Sequence, residues 1–163
     1  MPPISKGNEP LSGIEKNLDS SGLEFAIIAS RFNATIVDRL IEGALEALER
    51  VGTPRNEVRV VFVPGSYELP LAAKRLTASG TFDAVIALGC VIRGETPHFD
   101  HVSRAAVDGL LRVSLDSNTP VTLGVITAKT YEQAKERAGG ALGNRGYDAA
   151  IAAVDMIRQL NDL

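Results

Sequence analysis

The chain has 163 residues, 45% of them hydrophobic and only 5% aromatic, no Trp, and a formal net charge of −3. That length suits one domain with a core of Val, Ile, Leu and Ala, and mild acidity without Lys/Arg runs gives no basis for binding nucleic acid. A single cysteine, Cys90, excludes an internal disulfide and a Cys-rich metal site, and no apolar run approaches the ~20 residues of a membrane span.

Residues 1–22, rich in Pro, Ser, Gly and charge, read as a flexible N-terminal arm before a single α/β domain over residues 23–163. The arm lacks the apolar core and basic front of a signal peptide, which points to a cytoplasmic protein. Glu24–Ser30 reads as a first strand. From Ala34 to Val51 the residues Ile36, Val37, Leu40, Ile41, Ala44, Leu45, Leu48 and Val51 form one helical face, stopped by Gly52 and Pro54. Val58–Val63 is a second β-branched run. After the Pro64-Gly65-Ser66 turn a helix is expected from about Tyr67 to Ser79, with Pro70 tolerated in its first turn. Ala84–Ile92 reads as the third strand and about Phe99–Ser117 as the third helix. Val121–Ile126 is the fourth strand. Thr130-Tyr131-Glu132-Gln133 is a capping-box pattern opening a helix to about Ala138. Gly139–Gly146 reads as a flexible loop, and Tyr147–Leu160 as a final amphipathic helix.

Regular alternation of strand and helix with short links predicts right-handed crossovers. The strands are continuous apolar runs, as strands buried on both faces are. The expected fold is a three-layer α/β sandwich: a flavodoxin-like, four-stranded parallel sheet with helices on both faces. In such a sheet the loops after the four strands share one rim, where open α/β sheets bind ligands. They hold Arg31-Phe32-Asn33, Gly65-Ser66-Tyr67-Glu68, Gly94–His98 and Thr127-Ala128-Lys129. An aromatic face, amide and hydroxyl groups, a carboxylate and an imidazole suit a planar, polar, hydroxylated ligand better than a lipid or a metal.

The Gly94–His98 loop carries the sharpest signal. Thr96 is placed to cap the third helix with Pro97 at its first position, and the free N–H groups there suit a phosphate, which an Arg fork would complete. His98 adds a side chain of the type that exchanges protons near neutral pH. Each residue also has a plainer reading. His98 can be a surface histidine, Glu68 a partner of a helix dipole, and Phe32 a staple over the first helix. Cys90 can be a small core residue, and Arg137 a complement to the end of its helix. His98 and His101 stand three apart, but two histidines without a third ligand do not make a metal site. Gly89 to Thr96 lacks the Lys of a phosphate-binding P-loop, and no G-x-G-x-x-G follows the first strand.

The ordered set of Arg31-Phe32-Asn33, Pro64–Pro70, Gly89–Val102, Gly124–Thr127, Glu136–Gly139 and Gly143–Gly146 resembles the 6,7-dimethyl-8-ribityllumazine synthase family of riboflavin biosynthesis, from about Phe25 to Leu160. The resemblance implies a transferase of the penultimate step. It condenses 5-amino-6-ribitylaminouracil with 3,4-dihydroxy-2-butanone 4-phosphate, giving the ribityllumazine, phosphate and water, without metal or redox cofactor. It implies small-molecule substrates and a homo-oligomer, a pentamer or twelve pentamers in a shell, with active sites between subunits. The short Gly139–Gly146 link favours the shell. By motif, Phe32 would stack on the pyrimidine beside Asn33, and Ser66, Tyr67 and Glu68 would hold the ribityl chain. Cys90, Val91 and Ile92 would bind the pyrimidine edge, largely through backbone. Glu95 and Thr96 would meet the phosphate, and His98 would carry protons. Leu123 and Arg137 would come from the adjacent subunit, Arg137 to the phosphate. Leu123 and Tyr67 stand where Phe is common in the family, and His101 where Tyr is. A non-catalytic flavin- or lumazine-binding cage, or a riboflavin synthase of the same fold, are the alternatives.

Overall fold

A computed structural model describes residues 13–163. The expectation of a flexible arm therefore lies, for residues 1–12, outside the described residues. Beyond them, Leu18 is already buried in the core. Ser20 is fixed too: its N–H donates to Val51 O at 2.7 Å and its hydroxyl lies 2.6 Å from that of Thr53.

Four parallel strands form the sheet: β1 (Phe25–Ser30), β2 (Arg59–Val63), β3 (Ala84–Ile92) and β4 (Val121–Ala128), in the order β2-β1-β3-β4. The crossovers are α1 (Ala34–Arg50), α2 (Leu69–Ala78) and α3 (His98–Ser117), and the chain ends in α4 (Tyr131–Glu136), β5 (Ala138–Gly140), β6 (Gly143–Asn144) and α5 (Arg145–Asn161). Strand side chains alternate between faces, which splits the core into two layers. Phe25, Ile27 and Ala29 of β1 join Ile86 and Leu88 of β3 beneath Ile36, Leu40 and Leu48 of α1 and Ile151 and Val154 of α5. Ala26, Ile28, Val85 and Ala87 meet Leu69 of α2 and Leu110 and Val113 of α3 on the other face. Each fully buried Leu or Ile is worth about 1.5–3 kcal/mol. The three-layer α/β sandwich expected from the alternation is the observed fold.

Four boundaries differ from the sequence reading, each for a local reason. β4 runs on to Ala128 because Thr127 and Ala128 keep register with Val91 and Ile92. A 3-10 turn over Ser66–Glu68 precedes α2, so the helix proper starts at Leu69 with Pro70 in its first turn. In α3 the cap position is Pro97, no side chain caps the helix, and the expected Thr96 cap is not formed. The Gly139–Gly146 segment is no loose loop. Its β5 and β6 pair antiparallel, with Gly139 and Gly143 at positive φ where other residues are strained.

The same segment sets the close contact of α1 and α5. Asn144 accepts from the N–H groups of Gly146 (2.9 Å) and Tyr147 (3.2 Å), capping α5. Its side-chain amide donates to Arg39 O in α1 at 2.9 Å. A Cβ at Gly146 would strike the Leu40 carbonyl, and one at Gly43 would come within 2.5 Å of the Asn144 amide nitrogen. Bare backbone at both positions lets the helices approach. Gly146→Ala is therefore expected to lower unfolding stability by about 1–3 kcal/mol, the usual cost of overpacking, as read from the urea midpoint; an unchanged midpoint would contradict the contact.

Candidate active site

Loop ends of β1, β2 and β3 enclose a cleft of about 610 Å³ at the carboxyl edge of the sheet. The loop after β1 is sewn to the end of β2: Arg31 N–H donates to Val63 O (2.9 Å) and Phe32 N–H to Pro64 O (3.3 Å). It is sewn to β3 by Asn33. That residue takes the left-handed conformation (φ 56°), which Asn tolerates better than most, and its side-chain amide donates to Cys90 O at 2.8 Å. The β2 loop closes on itself through Glu68, whose carboxylate accepts from Gly65 N–H at 2.9 Å. The third wall is the end of β3, backed by β4, and the first turn of α3.

β3 outruns β1: their pairing ends at Ala29 opposite Leu88, while β3 continues to Ile92. Its last backbone groups on the β1 side thus have no strand partner there. Cys90 O points that way, toward Asn33, so by the two-residue period Ile92 does too. This is an edge of peptide groups suited to the hydrogen-bonding rim of a flat heterocycle.

Phe32, Asn33, Ser66, Tyr67, Glu68, Cys90, Val91, Ile92 and His98 all line this one cleft. Phe32 is 74% exposed, which rules out its reading as a staple over α1, and Tyr67 is 63% exposed. Ser66 is buried, its hydroxyl shielded and without a protein partner. Glu95 and Thr96 are exposed on the loop between β3 and α3, outside the cleft lining. Leu123 is half exposed in mid-β4, and Arg137 ends α4, its guanidinium donating to Gln133 O at 3.0 Å; neither lines the cleft of its own chain. His101 and Val102 line it beside His98 and were not in the expected set. Their signal was in the sequence, since i, i+3 and i+4 share a helix face.

The cleft thus offers exposed aromatic faces, a carboxylate, free peptide edges and two imidazoles in one wall. Burial pushes the Cys90 thiol up to about 11, so it is a neutral wall rather than a nucleophile. Among the described residues, no group of three or more His, Cys, Asp or Glu side chains is placed to hold a metal ion.

A parallel α/β sheet with this set at its carboxyl edge defines an enzyme of small, planar, polar substrates. A family model for 6,7-dimethyl-8-ribityllumazine synthase matches residues 22–161. A 6,7-dimethyl-8-ribityllumazine synthase of Nitratidesulfovibrio vulgaris strain DP4 is 50% identical over 150 residues, covering 92% of this chain and 96% of the relative. That of strain Miyazaki F is 49% identical with the same coverage. The chain belongs to the 6,7-dimethyl-8-ribityllumazine synthase family.

Cys90 supplies a direct check on the wall. The native thiol should resist iodoacetamide at pH 8 and react once the chain is unfolded in urea. Its ordinary value is 9.0 and its folded one about 11. In that window the unfolded thiol ionises while the folded one does not, so its contribution to stability, complete below pH 9, should be lost as pH rises to about 11. Rapid native alkylation would contradict the burial.

Proposed function

We propose that this cleft condenses 5-amino-6-ribitylaminouracil with 3,4-dihydroxy-2-butanone 4-phosphate to form 6,7-dimethyl-8-ribityllumazine, releasing phosphate and water, in the penultimate step of riboflavin biosynthesis. The observation that carries this reading is the convergence of Phe32, Glu68, the β3 peptide edge and His98 in one cleft of a member of this family.

Phe32 stacks on the pyrimidine, whose edge bonds to the open peptide groups of Cys90 and Ile92, on either side of Val91. The Ser66–Glu68 turn, with Asn33 beside it, receives the ribityl chain. The 5-amino group attacks the ketone and the adduct loses water as an imine. Phosphate then leaves, the enol tautomerises, and the ribitylamino nitrogen closes the ring with loss of water. Each step moves a proton, which His98 gives or takes. Glu95 and Thr96 meet the phosphate through backbone N–H groups near the start of α3. Neither a metal nor a redox cofactor is required.

The phosphate needs a cation, and Arg137 lies away from its own chain's cleft; a neighbouring subunit supplies it, together with Leu123. The openness of the cleft around Phe32 and Tyr67 supports this arrangement. So do the exposed apolar side chains Leu71 of α2 and Leu111 and Leu115 of α3, 66%, 58% and 72% exposed, which are candidates for burial between subunits. The assembly is a pentamer, and the tight β5–β6 ribbon in place of a longer insertion favours twelve pentamers in a cytoplasmic shell.

Holding two substrates together can be worth an effective molarity of about 10⁵ M or more, whereas acid–base help typically supplies about 10²–10⁴-fold. Purified protein should give ribityllumazine fluorescence and phosphate release together, each requiring both substrates. His98→Ala should lower kcat about 10²-fold and leave turnover measurable. Arg137→Ala should cost more, because it loses both positioning and stabilisation of the leaving group. Silence from folded, assembled protein would move the reading to a binding cage, and a mild Arg137→Ala effect in an intact oligomer would remove Arg137 from the phosphate. Conversion of ribityllumazine alone to riboflavin would instead mark a riboflavin synthase.

A further inference from the structure

The Ser66 side chain turns away from the cleft it borders. Its hydroxyl is shielded from solvent and has no partner within the protein, and the same is true of Ser30 at the end of β1. The two residues are 4% and 1% exposed. Both face Gly89: a Cβ built there would lie 2.6 Å from Ser66 Oγ and 3.1 Å from Ser30 Oγ. Two buried hydroxyls thus flank the one position on β3 where a side chain is missing, directly beneath the Ser66–Glu68 turn. An unsatisfied buried hydroxyl is costly, and native proteins satisfy such groups with protein or ordered water.

We propose that Ser30, Ser66 and the bare backbone of Gly89 hold one bridging water molecule, and that Ser30 is thereby a positioning residue for the turn that carries Tyr67 and Glu68 into the cleft. The two oxygens flank the same bare stretch of β3, so a water seated outside the Gly89 Cα, about 2.8 Å from each oxygen, bonds both, and each hydroxyl can donate or accept as needed. Within the turn, Glu68 N–H donates to Gly65 O at 3.2 Å and Gly65 N–H to the Glu68 carboxylate at 2.9 Å. Those bonds fix the shape of the turn, and fully buried Leu69 ties its exit into α2 to the sheet. Phe32 N–H to Pro64 O anchors its front, and the bridged serines anchor its back to β1. Gly89 is required because even a methyl group there would crowd the Ser66 oxygen.

This inference rests on the reading that the turn receives the ribityl chain, and the test separates the two. A high-resolution crystal structure of the intact assembly should show a water within hydrogen-bonding distance of both hydroxyls. Ser30→Ala should raise KM for 5-amino-6-ribitylaminouracil about three- to tenfold, the worth of one net hydrogen bond, and leave KM for the 4-phosphate substrate unchanged. Binding of 5,6-diaminouracil, which lacks the chain, should also be unchanged. Ser66→Ala should give the same split, and the double variant should be no worse than either single one. A dry niche, or a Ser30→Ala variant that weakens both substrates equally or neither, overturns the proposal. If the niche holds its water but Ser66→Ala leaves the ribityl preference intact, the assignment of the turn to the ribityl chain fails, and the positioning role fails with it.

Discussion

The site depends on an inequality of strand lengths. β1 stops at Ser30, held between β2 and β3, while β3 continues to Ile92 with β4 alone beside it. A sheet of equal strands would spend every peptide group of β3 on its neighbours. Here the last ones on the β1 side are spared, and the chain leaving β1 bends across them at Asn33. The bond from Asn33 to Cys90 O fixes how far that loop stands from the exposed edge. A half-buried bond of this kind contributes only about 0.5–1.5 kcal/mol net to stability. Its larger effect is geometric, because it sets the width of the cleft that Phe32 borders.

Much of this was legible from the chain alone. Alternating apolar runs and helical faces give the sheet and its crossovers, since burial on both faces leaves a doubly covered strand little choice of residue. The rim loops were legible because parallel topology places every strand's exit on one edge. Details decided by contacts distant in sequence were not. Gly139–Gly146 looks like a flexible link by composition, yet the bond from Asn144 to Arg39 O and the close approach of Gly146 to α1 make it a fixed ribbon. Thr96 carries the chemistry of a cap, but the helix starts one residue later, at His98 after Pro97. No local rule announces that the Ser66 hydroxyl points into the sheet rather than the cleft; a glycine on a different strand makes the room for it.

The proposed division of the site between subunits draws on two further observations. Phe32 and Tyr67, at the cleft mouth, present most of their surface to solvent. Arg137 ends α4 with its guanidinium on the carbonyl of Gln133, the plain structural role foreseen for it. That bond leaves the remaining guanidinium N–H groups available. Its placement within one chain and the role implied by the family are compatible only if subunits meet so that one chain's α4 faces another's cleft.

Complementation between subunits tests this directly. His98→Ala and Arg137→Ala chains, co-assembled from a denatured mixture, form some sites with a native His98 from one chain and a native Arg137 from its neighbour. The account predicts activity of the mixture well above the mean of the two separately assembled variants. Activity equal to that mean, in oligomers shown to contain both chains, would place His98 and Arg137 in the same chain's site and contradict a cleft completed by its neighbour.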